Sequence, residues 1–373
     1  MKKVGVAELP LHGGHVPFWL LEKMKKLSNK ILAIIIDEYG SEELLRRISN
    51  PHWFQALGCV IGHDWHSSGI TTTVCAVLKS VTKPEDYGLA IAGGKGKFSR
   101  KTPSEIEKIS NIFNLSDKET YSLKYSSKMS AKIDNTAIQS GYPLYQHTFF
   151  VNEKGKWAVV QQGMSAQDKT ARRYHWLSEN VESFVEEPHD AICCDTIKSN
   201  VLDMTSKDSD EARRISVDLV KDGVEKIKKN LQSIKPVQQK SLHQYLSIKQ
   251  KEYTVNILRM PRKIDWNALT NAYEFQPKNY EELISLKGIG SSAVRGLALV
   301  SEIVYGKPAS WKDPVKFSYA YGGKDGVPKP IDREAMDESI NFLKDVLEQT
   351  KLGDKDKLNA FRRLKKIIPV DHQ

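Results

Sequence analysis

The sequence predicts an α+β protein in two parts. A mixed amino-terminal part, residues 1–205, is built around a β-hairpin, and a mostly helical region, residues 206–373, follows. Three observations predict this. Leu144–Val151 and Lys156–Gly163 are apolar runs of strand length on either side of Asn152-Glu153-Lys154-Gly155, a turn composition. Thr102-Pro103-Ser104-Glu105 combines a capping hydroxyl, a proline at the first helical position and a glutamate three residues beyond the cap, which together mark a helix start. Beyond Ser206 apolar residues recur at helical spacing, most clearly Ala293, Leu297, Val300 and Val304.

In chain order, Phe18–Tyr39 reads as a helix, and Ser41 caps a short one that ends before Pro51. Leu57–Gly62 is a short apolar strand candidate. Ile70–Val81 reads as a buried helix and Leu89–Ala92 as the strand after it. The hairpin follows, then the run Ala171–Trp176, and Asp203–Asp210 is a polar junction. No repeat of solenoid length and no low-complexity tract interrupts this order.

Composition narrows the class. The chain has 373 residues and a formal net charge of +10, which favours polyanionic partners. Lys221–Lys263 holds eleven basic and three acidic residues. Cys59, Cys75, Cys193 and Cys194 form no CxxC pair, which argues against a zinc ribbon and fits a reducing cytoplasm. Ile31–Ile36 is too short to span a bilayer, so no membrane partner is expected.

The most specific stretch is Leu283–Val304, LISLKGIGSSAVRGLALVSEIV. Two glycines flank Ile289 in Lys287-Gly288-Ile289-Gly290, so the backbone can turn tightly and present its N–H groups. A helix begins just beyond, and helix N-termini bind phosphate oxygens. Asn279 and Glu282 form a capping pair for the helix before the turn. Ile289 is expected to plug the space between the helices, with Lys287 and Arg295 assisting phosphate contact. This stretch resembles the helix-hairpin-helix of DNA repair and DNA-processing proteins. The resemblance implies a grip on the DNA backbone.

Polar clusters elsewhere suggest chemistry. His63-Asp64-Trp65-His66 offers two imidazoles and a carboxylate for a divalent metal or for acid and base roles, and Ser67-Ser68-Gly69 follows at a helix start. Gly93-Gly94-Lys95-Gly96-Lys97 is a basic glycine turn that lacks the spacing of a Walker A loop. Asp134, Gln139, His147, Gln161 and Gln162 surround the apolar hairpin, and Gln161 and Gln162 must face opposite sides. A carboxylate before a β-hairpin is similar in outline to metal-dependent nuclease cores, but the second strand lacks their acidic residue and lysine. Arg172 and Arg173, among the aromatics of Ala171–Trp176, suit phosphate contact and base stacking. Weaker candidates are His12, His15 and the turn Tyr321–Gly326.

LPLHGG, GHDWHSSG, GGKGKFSRKTP, VVQQGM, ARRYHW and the later GGKDG, joined to the hairpin stretch, resemble an archaeal and bacterial family of unassigned function. The resemblance spans nearly the whole chain and implies an intracellular, DNA-related protein. The leading expectation is a metal-dependent nuclease of DNA processing or repair. His63, Asp64, His66, Lys95, Asp134, His147 and Gln161 would form its centre. Mg or Mn would sit on Asp64, His66 and Asp134, and Lys287, Gly288, Ile289, Gly290, Arg295, Arg172 and Arg173 would hold double-stranded or branched DNA. Two alternatives stand beside it. One is a glycosylase-like protein using Asp313, five residues after Pro308, and the other is a DNA-binding protein without catalysis. The sequence leaves homo-oligomerisation open.

Overall fold

The computed structural model describes residues 16–63, 67–194, 196–234, 260–261, 263–315, 333–350 and 353–365. At its centre is a five-stranded antiparallel sheet. Its strands are β1 (Leu89–Lys95), β3 (Leu144–Asn152), β4 (Trp157–Ser165), β5 (Thr170–Leu177) and β6 (Ala191–Cys193), in that spatial order. A two-stranded ladder pairs β2 (Ile138–Gln139) with β7 (Leu202–Asp203). The described helices are α1 (Phe18–Ser49), α2 (Pro51–Val60), α3 (Gly69–Val81), α4 (Pro84–Tyr87), α5 (Thr102–Ile112), α6 (Asp117–Lys132), α7 (Asp210–Lys221), α8 (Val224–Ile234), α9 (Trp266–Phe275), α10 (Tyr280–Ser285), α11 (Ser291–Tyr305), α12 (Arg333–Gln349) and α13 (Asp354–Lys365). The protein is therefore α+β.

The hairpin forms at the expected place, with Val151 opposite Trp157 and Phe149 opposite Val159. Asn152 shapes the turn. Its Oδ1 accepts from the Lys154 and Lys156 N–H groups at 3.1 and 2.9 Å, and Gly155 takes the left-handed φ of 72°. Helices cover both faces of the sheet, so its strands are apolar on both sides. Phe150, Ala158 and Val160 pack in one core with residues of α1, α2, α3, α12 and α13. Phe149, Val159, Tyr174 and Trp176 pack in a second core with residues of α5 to α11.

Several elements follow their local signals. α3 and α5 begin within a residue of their expected starts, and α1 bends at Gly40, φ 84°, into the two helices expected there. β1 runs on to Lys95, three residues past the expected end. The strand expected at Leu57–Gly62 is instead the end of α2. Asn50 Oδ1 accepts from the His52 and Trp53 N–H groups, Pro51 occupies the first turn, and all ten residues of α2 are buried. A helix buried on every side shows no polar face, so its apolar run reads like a short strand.

The boundary at 205/206 does not coincide with a break in packing. Leu202 and Met204 share the second core with Ala212, Leu297 and Val300, and the Asp203 N–H donates to the Ser310 carbonyl at 2.9 Å. The last helices return to the amino-terminal layer, where Leu343, Leu347 and Leu364 complete the first core.

Candidate functional site

Two features bring sequence-predicted residues together: the helical hairpin of α10 and α11, and a buried polar chain beneath the sheet. In the hairpin, Asn279 Oδ1 accepts from the Glu282 N–H at 2.8 Å, while the Glu282 carboxylate accepts from the Lys278 N–H at 2.7 Å. Glu282 thus reaches one residue further back than a capping box requires. Gly288 has φ 87°, and a Cβ there would lie 2.6 Å from the Ala268 Cβ, so the turn needs glycine for both conformation and space. Ile289 is fully buried beneath the turn, as expected, and Lys287 is exposed at its tip.

The first turn of α11 starts from Gly290 without a side-chain cap, and its first residue, Ser291, is exposed. Two lysines of α6 clasp the other side of the turn. Lys128 Nζ donates to the Ser285 carbonyl at 2.8 Å and Lys132 Nζ to the Leu286 carbonyl at 2.7 Å. Burial, and then the charge of Lys128, push the Lys132 ammonium down to about 8. Arg295 Nε donates to Gln139 Oε1 at 2.8 Å, and Gln139 Nε2 donates to the Ser291 carbonyl at 2.8 Å. A cleft of about 810 Å³ opens beside this contact, lined by Asn135, Gln139, Ser140, Lys198, Ser291 and Arg295 among others. In the basic approach to the hairpin, Lys226 pairs with Asp222 and Lys228 with Glu225, and residues 235–259 lie outside the described residues.

The polar chain joins Asp134, His147 and Gln161, three residues expected to share a site. Asp134 sits in a π-helical turn, Ile133–Ala137, after α6 and is buried. Its Oδ2 accepts from Gln161 Nε2 and, at 3.0 Å, from Trp176 Nε1, and its Oδ1 contacts His189 Nε2. Gln161 Oε1 lies 2.7 Å from His147 Nδ1, and His147 Nε2 lies 2.8 Å from Ser127 Oγ. Burial holds the His147 imidazole below its ordinary range, opposed by Gln161 and Asp134, so it is neutral at pH 7. Sequence reasoning missed Ser127 and His189, and gave Trp176 to the arginine cluster rather than to Asp134. Nothing in their local spacing marks them, because they meet Asp134 and His147 only through the packing of α6, β5 and the loop before β6.

Other predicted residues lie elsewhere. His63 stands beside Gly69 and Ser67 at the start of α3, on the face of the sheet opposite Asp134 and Gln161. The same face receives Gln162, whose Nε2 donates to the Ser68 carbonyl at 3.0 Å. The expected convergence of His63 with Asp134 and His147 therefore fails, because the sheet stands between them. Asp64, His66, His12, His15 and Tyr321–Gly326 lie outside the described residues. Lys95 is exposed at the end of β1, its Nζ 5.8 Å from the Tyr145 ring centre, and does not join the polar chain. Gly93 offers no anion cradle: its N–H donates to Glu105 at 2.7 Å and its carbonyl accepts from Lys79 at 2.8 Å.

Arg172 and Arg173 are not surface phosphate contacts, because both are completely buried. Arg172 makes a two-pronged pair with Asp313 at 2.9 and 2.7 Å, and both side chains are fully enclosed. Asp313 also accepts from the Lys198 N–H at 2.8 Å, so its carboxylate is committed to structure rather than poised at an open pocket. Arg173 donates to Gln55 at 3.0 Å and through Nε to His175 Nε2 at 2.9 Å. Among the described residues no group of three or more His, Cys, Asp or Glu is placed to hold a metal ion. Each oxygen of Asp134 already has a protein partner.

Fold and site together define a sheet-centred α+β protein with a docked helical hairpin and a buried Ser–His–Gln–Asp chain. The chain belongs to a family of proteins of unknown function, DUF763, which it matches over residues 5–331. No curated protein and no solved structure matches it. Helices α12 and α13 lie beyond the matched residues, yet they fill the first core. No described helix is long and apolar enough to cross a membrane.

Proposed function

We propose that this protein binds nucleic acid, gripping the phosphodiester backbone of double-stranded or branched DNA through a helix-hairpin-helix formed by α10, the turn Leu286–Gly290 and α11. The observation that carries the reading is the uncapped N-terminus of α11, which stands behind a glycine turn with Lys287 exposed at its tip. Lys128 and Lys132 flank the turn, and the net charge of +10 favours a polyanion.

Fluorescence anisotropy with labelled duplex and four-way-junction DNA tests it. Lys287→Ala is expected to weaken binding evenly across sequences and to lower the slope of log affinity against log salt by about 1. Binding that ignores both salt and Lys287 overturns the reading. A role in DNA processing with Mg- or Mn-dependent cleavage rests on Asp64 and His66. The same DNA panel, incubated with each ion and with Asp64→Ala, decides whether cleavage accompanies binding.

A further inference from the structure

We propose that Ser127 is a nucleophile activated by His147, and that the cavity in front of it receives a phosphoryl group. The direction of every hydrogen bond in the buried chain supports this. Gln161 Nε2 faces two acceptors, the Asp134 carboxylate and the Ser130 carbonyl at 2.9 Å, which fixes the amide orientation. Gln161 Oε1 must then accept, so His147 Nδ1 carries the proton. His147 Nε2 is left with its lone pair, and Ser127 Oγ, 2.8 Å away, donates to it. The chain runs from hydroxyl to imidazole to amide to carboxylate. The Asp134 end stabilises the imidazolium that forms when Ser127 gives up its proton, and Gln161 orients the ring.

A polar chain that only held α6 to the sheet would have no need to open on a cavity. Ser127 and His147 line one of about 280 Å³, together with Arg100, Lys128 and Gln146. Arg100 and Lys128 line the cavity, and although Lys128 Nζ also donates to the Ser285 carbonyl at 2.8 Å, two cationic side chains beside the cavity suit the oxygens of a phosphoester.

In the step, the Ser127 Oγ–P bond forms as the bond from phosphorus to the leaving group breaks. The leaving group departs with that electron pair, and the Ser127 proton passes to His147 Nε2. Lys128 is common to this cavity and to the hairpin turn, but the test uses no DNA, so the two readings fail separately.

The experiment is incubation of the full chain with a fluorophosphonate probe, followed by peptide mass spectrometry. The expected result is a phosphonyl adduct on Ser127 with loss of fluoride, absent from Ser127→Ala. The groups facing His147 are Asp134 beyond Gln161, with Arg100 and Lys128 across the cavity. Once the imidazole titrates, labelling should slow about tenfold for each further unit of acid. A folded wild-type chain that takes no label at Ser127 in excess probe overturns the proposal. So does a labelling rate that does not change across the imidazole range.

Discussion

At the scale of single residues, burial decides what a charged side chain does. Arg172 and Asp313 form a pair that is fully enclosed. Removing one member leaves the other charged without a partner, which costs roughly 3–5 kcal/mol. Asp313→Asn is therefore expected to lower the urea midpoint strongly, whereas a catalytic aspartate would lose activity at unchanged stability. Lys132 has the opposite character. With its ammonium pushed down to about 8, it loses its proton as pH rises through that value, well before an exposed lysine. DNA affinity should fall between pH 7 and 9 in the wild type and stay level in Lys132→Arg, measured by anisotropy at constant salt. The linked effect on stability has a definite sign. Between pH 8 and the ordinary lysine range the unfolded chain holds more protons than the folded one, so raising pH across that window relieves the cost of burying the charge.

At the scale of elements, the turn between α10 and α11 depends on a conformation and a space that glycine supplies at position 288. Gly288→Ala would place a methyl against Ala268 at a φ of 87°, a conformation that costs an L-residue about 1–3 kcal/mol. The turn should loosen, and DNA binding should weaken more than in Lys287→Ala, since the backbone N–H groups lose their aim. The elements that could be read from sequence share a local signal. Pro103 and Glu105 start α5, Asn152 and Gly155 turn the hairpin, and Gly288 turns the helices. Helix α2 was misread because its signal is global: α1, α3, α12 and α13 bury it on all sides, which erases the polar half of a helical pattern.

At the scale of the whole molecule, the sheet acts as a partition between two cores. Helices α12 and α13 close the first core from far along the chain, so their contribution is to stability. Leu343→Ala, at a fully buried position of α12, is expected to cost about 2–5 kcal/mol and to leave the hairpin's DNA affinity unchanged. Chemical denaturation monitored by tryptophan fluorescence, run beside anisotropy, separates the two effects.

The partition also separates what sequence alone determined from what tertiary structure decided. Strand alternation placed Gln161 and Gln162 on opposite faces before any fold was known, because the side-chain period of a strand is two. The net charge of +10 is a property of the sequence alone, and the glycines around Ile289 marked a tight turn. Which distant residues share a face was decided only by packing. Asp134, His147 and Gln161 meet below the sheet with Ser127 and His189, while His63 stays above it. Register and layer order arise from the whole set of buried contacts, and local spacing carries no record of them.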